Sequence, residues 1–126
     1  MSLLLLLKHN YNYLCFSYND LKQYIQVDFL APYYIGGVVT QGRVDEPQWV
    51  TKYELYYSTD GKHYTAIPTS PLSNIPMVFI GNADQVGLMM HKFPLISARW
   101  IRFVNCVHST AVYHCVHMLQ YYCIVD

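Results

Sequence analysis

Residues 24–29 alternate strictly, with Ile25, Val27 and Phe29 on one side and Tyr24, Gln26 and Asp28 on the other. That is the period of a strand with one buried face. Residues 35–41 are β-branched and small, placing Ile35, Gly37 and Val39 together, and the paired Gly36 and Gly37 mark a bulge or a close backbone approach. Residues 50–58 alternate again, and Thr59, Asp60 and Gly61 supply the turn that reverses the chain into residues 63–67 as a hairpin. Three prolines in residues 68–76 remove amide donors and fix φ, so a loop is expected there before an extended run at residues 77–80. Residues 81–94 show no clear period. Gly81, Asn82, Asp84 and Gly87 read as turns, and Met89 and Met90 as core filler rather than a cofactor site. Residues 97–104 and 111–124 close the chain as two further strands. With no long amphipathic helix, repeat or linker, spaced short strands predict an all-β sandwich or jelly roll of antiparallel strands.

Between the strands at 35–41 and 50–58 the pattern breaks. Arg43, Val44, Asp45, Glu46, Pro47 and Gln48 are charged or proline-containing and carry no apolar period. Binding residues concentrate in loops held by a rigid sheet, so this tip is the first candidate surface, against the plainer reading of a solvated connector. Arg43 would act as a fork donor, with Trp49 or Tyr33 as a flat apolar platform; Trp49 also reads as the core residue that starts the following strand. Asn82 and Asp84 form a possible secondary loop.

Composition narrows the partners. The 126 residues carry eight basic and eight acidic side chains, which removes the charge term behind nucleic-acid binding or attraction to anionic lipid. Thirteen tyrosines with 13% charged residues suit an all-β domain whose outer face is lined by Tyr and meets sugars or proteins. Leu3–Leu7 is shorter than the roughly 7–15 apolar residues of a secretory core and has no basic residue before it, so no signal peptide is read in this chain.

Arg99 and Arg102 stand three apart in an apolar strand, which puts them on opposite faces and one of them near the core. A buried guanidinium needs partners, so Asp28 or Asp84 is expected to pair with it, the alternative being a ligand role. His108, His114, Cys115, His117 and Cys123 invite a zinc reading, but Cys115 and His117 share a strand face that His114 does not. No metal site and no cofactor are expected. Nor does the chain contain a GxSxG, P-loop, GxGxxG or HExxH pattern, which points away from an enzyme.

Five short motifs then agree in order. NDLKQYIQVDF, TQGR with QWVTKY, YYSTDGKHY, FIGNAD and SARWIRFV resemble successive stretches of the discoidin domain, the coagulation factor V/VIII type C module, from about Leu14 to Cys123. The resemblance implies a discoidin-type β-sandwich over residues 14–126, with residues 1–13 an atypical segment. It makes Arg99 and Arg102 scaffold residues, beside the structural readings of Asp28 as a pairing partner and Trp49 as a strand-start residue, and implies an extracellular or cell-surface recognition module without chemistry. The ligand would be a cell-surface or matrix glycan or protein.

Members that insert into phosphatidylserine membranes use large apolar residues at loop tips, whereas this tip offers Asp45 and Glu46. Membrane binding is therefore less favoured, because an anionic surface repels carboxylates. The family pairs a cysteine near its start with one near its end, and Cys123 matches the end. Cys15 matches an internal position, so Cys15, Cys106, Cys115 and Cys123 are all disulfide candidates with Cys123 free or paired with any of the others. By the same resemblance the chain lacks the family's opening strands, so it is expected to be marginally stable alone, with Leu3–Leu7 as a substitute edge strand.

Overall fold

The computed structural model describes residues 3–5, 24–42, 49–108 and 120–125. These form seven strands and no helix: β1 (Leu3–Leu5), β2 (Tyr24–Gln41), β3 (Val50–Ser58), β4 (Thr65–Ala66), β5 (Phe79–Ile80), β6 (Leu88–His108) and β7 (Gln120–Val125). All pairings are antiparallel, in the order β1-β7-β2-β6-β3-β4, with β5 also on β3. Leu3–Leu5, the apolar start of the chain, pairs with Cys123–Val125.

The two long strands belong to both halves of the domain. Residues 24–28 of β2 pair with 100–104 of β6, and on β6 that half carries β3. Residues 35–41 of β2 pair with β6 from Leu88 to Ile96 and carry β7 on the other edge. The halves meet through an aromatic cluster: Phe79 stacks on Tyr53 at 5.4 Å between centroids, while His91 and Phe93 of the second half meet Phe79 edge-on at 5.2 and 6.4 Å. Val27, Phe29, Ile35, Val38, Leu55, Ile101 and Phe103 complete the buried core. The sandwich expected from the sequence is thus built from one continuous hydrogen-bonded network.

Several expectations change. The runs at 24–29 and 35–41 are one strand interrupted by two register shifts. Asp28 pairs with Trp100 and Tyr33 with Ala98, so residues 29–32 lie opposite Arg99 alone, and Leu30 within that bulge takes a φ of 66°. At the second shift Ile35 pairs with Ile96 and Gly37 with Lys92, which leaves Phe93, Pro94 and Leu95 opposite Gly36. The bulge read at Gly36 and Gly37 is therefore present. It moves the buried set to Ile35, Gly37, Val38 and Thr40, so Val39 no longer shares the inner face.

Residues 88–94, where no clear period was read, belong to β6. Their period was hidden because the face that alternates with the half-buried Met89, His91 and Phe93 carries the exposed apolar side chains Leu88 and Met90 beside Lys92. Edge strands β4 and β5 are only two residues each, because residues 68–76 leave the sheet between them and close on a bridge between Pro68 and Pro76. Of the strand expected at 111–124, residues 111–119 lie outside the described residues, and β7 runs from Gln120 to Val125.

Candidate functional site

At one end of the sheet the chain leaves β2 at Gly42 and re-enters β3 through Trp49. Arg43, Val44, Asp45, Glu46, Pro47 and Gln48, the tip between them, lie outside the described residues. Its two roots are fixed. A Cβ on Gly42 would come within 2.7 Å of the Asp84 carbonyl oxygen, 2.9 Å of Trp49 Cβ and 3.0 Å of Gln85 Cα, so only glycine fits where residues 82–87 pack against the start of the tip. Trp49 is half-buried in the contact.

Asn82 and Asp84 both turn out to hold that second loop in place. Asn82 is 4% exposed, accepts from Thr40 Oγ1 at 2.9 Å, and donates Nδ2 to the carbonyls of Thr40 at 3.0 Å and Gly87 at 2.9 Å. Its backbone N–H donates to the Val50 carbonyl at 2.8 Å, so one buried residue ties the end of β2 through its side chain and the start of β3 through its backbone to the loop. The exposed carboxylate of Asp84 accepts the amides of Val86 at 3.0 Å and Gly87 at 2.6 Å, closing the turn. Gln41 Nε2 donates to the Val86 carbonyl at 2.8 Å. Two large apolar side chains also face outward here: Val86 is 61% exposed, as is Leu88, the first residue of β6. Nothing in the sequence distinguished these two from core residues.

Tyr33 is not part of this end. It pairs with Ala98, eight residues along β2 from Gln41, which is about 26 Å of extended chain. It meets Phe29 edge-on at 6.4 Å and leaves Trp49 as the aromatic residue at the tip's root.

The expected arginine pairing is present with one correction. Arg99 donates Nε to Asp28 Oδ1 at 2.9 Å and Nη2 to Oδ2 at 3.2 Å, and its guanidinium lies 4.3 Å from the Trp100 ring centroid. Asp84 takes no part. The Arg99 guanidinium, together with the Leu30 amide, holds the Asp28 carboxyl below the usual carboxylate range. Neither arginine is buried, contrary to the parity argument. Arg99 stands opposite the 29–32 bulge, where no partner strand fixes its direction, and both Ala98 and Ile101 point inward across that break. Arg102 lies on the outer face between the rings of Tyr24 and Tyr64, at 3.9 and 3.7 Å from their centroids, and donates Nε to Gln26 Oε1 at 2.8 Å. Tyr64 OH donates to the same Gln26 oxygen at 2.8 Å. Both arginines are held by scaffold partners.

The turn after β3 is also closed by side chains. Ser58 Oγ accepts the Gly61 amide at 2.9 Å and donates to Asp60 Oδ1 at 2.9 Å, while Gly61 takes a φ of 75°. His63 Nδ1 lies 2.7 Å from Asp60 Oδ2. Cys15 and Cys115 lie outside the described residues, as do His114 and His117; Cys106 falls in β6 and Cys123 in β7. Among the described residues no three His, Cys, Asp or Glu side chains converge as metal ligands would.

The fold and its loop end define a class: an antiparallel all-β domain whose long strands carry connecting loops at one end. Residues 7–114 match the F5/8 type C domain, and the chain belongs to that family. Retinoschisin of Takifugu rubripes is 35% identical over 88 residues, which cover 69% of this chain and 31% of that protein. Wild-type discoidin II from Dictyostelium discoideum has the same fold, with a TM-score of 0.68 and 24% identity over 84% of this chain and 38% of its own. The module CpGH89CBM32-5 of Clostridium perfringens, solved in complex with GalNAc-β-1,3-galactose, superposes with a TM-score of 0.56 and 21% identity over 81% of this chain and 63% of its own.

Proposed function

We propose that this domain is a non-catalytic, extracellular recognition module that binds a cell-surface or matrix glycan, or a protein, through residues 43–48 with the 82–87 loop beside them. The observation that carries the reading is the packing of residues 84 and 85 against Gly42, which fixes a second loop at the root of the tip. The tip sequence carries Arg43, Asp45 and Gln48, and such polar groups orient a sugar or a peptide better than they enter a bilayer. A domain of the same fold is known with a bound disaccharide, which supports testing sugars first. The family match itself carries no catalytic assignment.

The test is a glycan array, run beside a panel of matrix proteins, followed by affinity measurements on Arg43→Ala and Asp45→Lys. Both substitutions are expected to weaken binding to whichever ligand is found, while stability changes by less than about 0.5 kcal/mol. Unchanged affinity in both variants would remove the site from the tip.

A phosphatidylserine surface is the second reading, favoured by the exposed side chains of Val86 and Leu88 at the same end. Asp45 and Glu46 oppose it. Co-sedimentation with vesicles of phosphatidylcholine alone and with added phosphatidylserine separates the two. Serine-lipid-selective binding that is lost on Leu88→Asp would establish the membrane reading and displace the first.

A further inference from the structure

On the outer face of the first half, one guanidinium is held in place while part of its donor set stays open. Register sets Tyr24 opposite Val104, and Gln26 and Tyr56 on either side of Arg102. The rings of Tyr24 and Tyr64 cover the Arg102 guanidinium at 3.9 and 3.7 Å, and its Nε donates to Gln26 Oε1 at 2.8 Å. Tyr64 OH donates to the same oxygen, so the groups that hold the guanidinium also hold one another. What remains is the edge formed by Nη1 and Nη2. Among the described residues neither nitrogen has a hydrogen-bond partner and no carboxylate pairs with Arg102. Arg99 differs, because Asp28 fills its fork. Arg102 borders an open hollow of about 190 Å³ together with Tyr24, Tyr56, Tyr64 and Val104. The four strand residues among these share one face by register, so the cation and the tyrosines border the same space.

A guanidinium already fixed in its plane loses less freedom on binding than a free one, and its Nη edge matches the oxygens of a carboxylate or a sulfate. The three tyrosines supply flat rings with polar tips, which suit a sugar ring and its hydroxyls better than a hydrocarbon chain. Burial, and then Glu54, push the Tyr56 hydroxyl above its ordinary range, so it stays protonated and able to donate. Glu54 stands opposite Val104 on the same face and sets a limit, since it repels a polyanion more than a ligand with one charge placed at Arg102. We propose that this hollow binds a singly charged acidic sugar unit, with its carboxylate or sulfate on Nη1 and Nη2 of Arg102 and its ring against the tyrosines. The site shares no residue with the loop end, so it stands whatever the loops bind.

The probes are methyl glucuronide, glucose 6-sulfate, methyl glucoside and acetate, titrated into the isotopically labelled full chain and followed by the Arg102 Nε–H signal and the amides of Tyr56 and Val104. The two acidic sugars are expected to shift these signals saturably and to bind roughly threefold to tenfold more tightly than the neutral glucoside or acetate. The tighter of the two names the oxoanion. Arg102→Lys keeps the charge but loses the fork, and should bring both acidic sugars down to the affinity of the neutral one. Because Arg102 also braces this face, two milder variants stand beside it, with a dispersed amide spectrum confirming that each is folded. Tyr56→Phe should weaken both acidic sugars roughly twofold to threefold, and Glu54→Gln should strengthen them by a similar factor. Acetate binding as tightly as the glucuronide would show that the sugar ring adds nothing and would overturn the proposal. So would unchanged acidic-sugar affinity in both Tyr56→Phe and Glu54→Gln, or shifts that do not saturate or that fall outside this face. Loss of binding in Arg43→Ala, which should leave these titrations unaltered, would move the site to the loop tip and overturn the proposal as well.

Discussion

A single buried amide decides how the loop end is built. Asn82 makes three side-chain hydrogen bonds at a position almost closed to solvent, and Thr40 Oγ1 depends on it. Replacing it with alanine leaves the Thr40 hydroxyl and two carbonyls without that partner, at a cost of about 2–3 kcal/mol. Chemical denaturation of Asn82→Ala should show that loss, and because the same amide fixes residues 82–87, ligand affinity should fall with it. Asp60 and His63 supply the residue-scale pH dependence. The His63 ring, then the amides of His63 and Lys62 and the Ser58 hydroxyl, hold the Asp60 carboxyl far below the usual range, and Asp60 in turn raises His63 above its ordinary 6.5. A raised folded-state value means that the contribution of His63 is complete below pH 6.5 and is lost as the pH rises through that raised value. The contribution of Asp60 is complete above about pH 3.8 and is lost as the pH falls through its depressed value. The melting-temperature difference between wild type and His63→Ala should therefore be largest near pH 5 and shrink by pH 8. Both side chains are exposed, so the difference should be small and reduced by salt.

At the scale of elements, the bulges carry more information than the strands. Leu30 adopts a left-handed φ of 66° with a side chain 78% exposed, so it accepts backbone strain in return for little burial. Asp28 Oδ1 accepts its amide at 2.9 Å and holds the bulge in that shape. Leu30→Gly should therefore raise stability by about 0.5–1 kcal/mol, read as a higher denaturant midpoint. A decrease would show that the exposed leucine makes contacts that outweigh its strain. The same bulge explains the arginines. Strict alternation gave Arg99 and Arg102 opposite faces with one of them inward, but four residues of β2 stand opposite Arg99, so the parity of β6 resets there. Alternation within 24–28 was legible because that run has a regular partner. Within 50–58, where β3 shifts register on β6 between Val50 and Lys52 and between Lys52 and Glu54, the buried set becomes Val50, Tyr53, Leu55 and Ser58. There and across the bulges of β2 and β6 the sequence pattern did not show the break, since it depends on the other strand.

For the whole molecule, the two halves share the long strands β2 and β6 and meet through the side chain of Phe79. Phe79 is 3% exposed and touches Tyr53 from one half and His91 and Phe93 from the other. Phe79→Ala should cost about 3–5 kcal/mol, more than a typical core truncation on one side of the sheet, because the cavity opens between layers. That is a large part of the roughly 5–15 kcal/mol of an ordinary domain. Unfolding followed by tryptophan fluorescence and by circular dichroism should separate into two transitions in this variant if the halves lose their coupling. A single coincident transition with an unchanged midpoint would show that the halves are held together elsewhere.

Sequence by itself determined the all-β class and the turn at Thr59, Asp60 and Gly61, and it marked Gly36 and Gly37 as a bulge or a close backbone approach, because each follows from local period or from residues that only certain backbone shapes tolerate. The ordered motifs also led to the discoidin resemblance, which the family match bears out. A pairing of one of the two arginines with Asp28 or Asp84 was the preferred reading over a ligand role, and the structure selects Arg99 with Asp28. Tertiary structure decided the rest. Only the register shows that two strands expected as separate are one, that residues 88–94 extend β6, and that Tyr33 stands far from Trp49. Asn82 and Asp84 were candidates for ligand contact, yet their partners are Thr40, Gly87 and the loop's own amides, 42 residues away in the case of Thr40. A side chain's role depends on what lies across from it, and in a sheet of long bulged strands that neighbour is set by pairings distant in the chain.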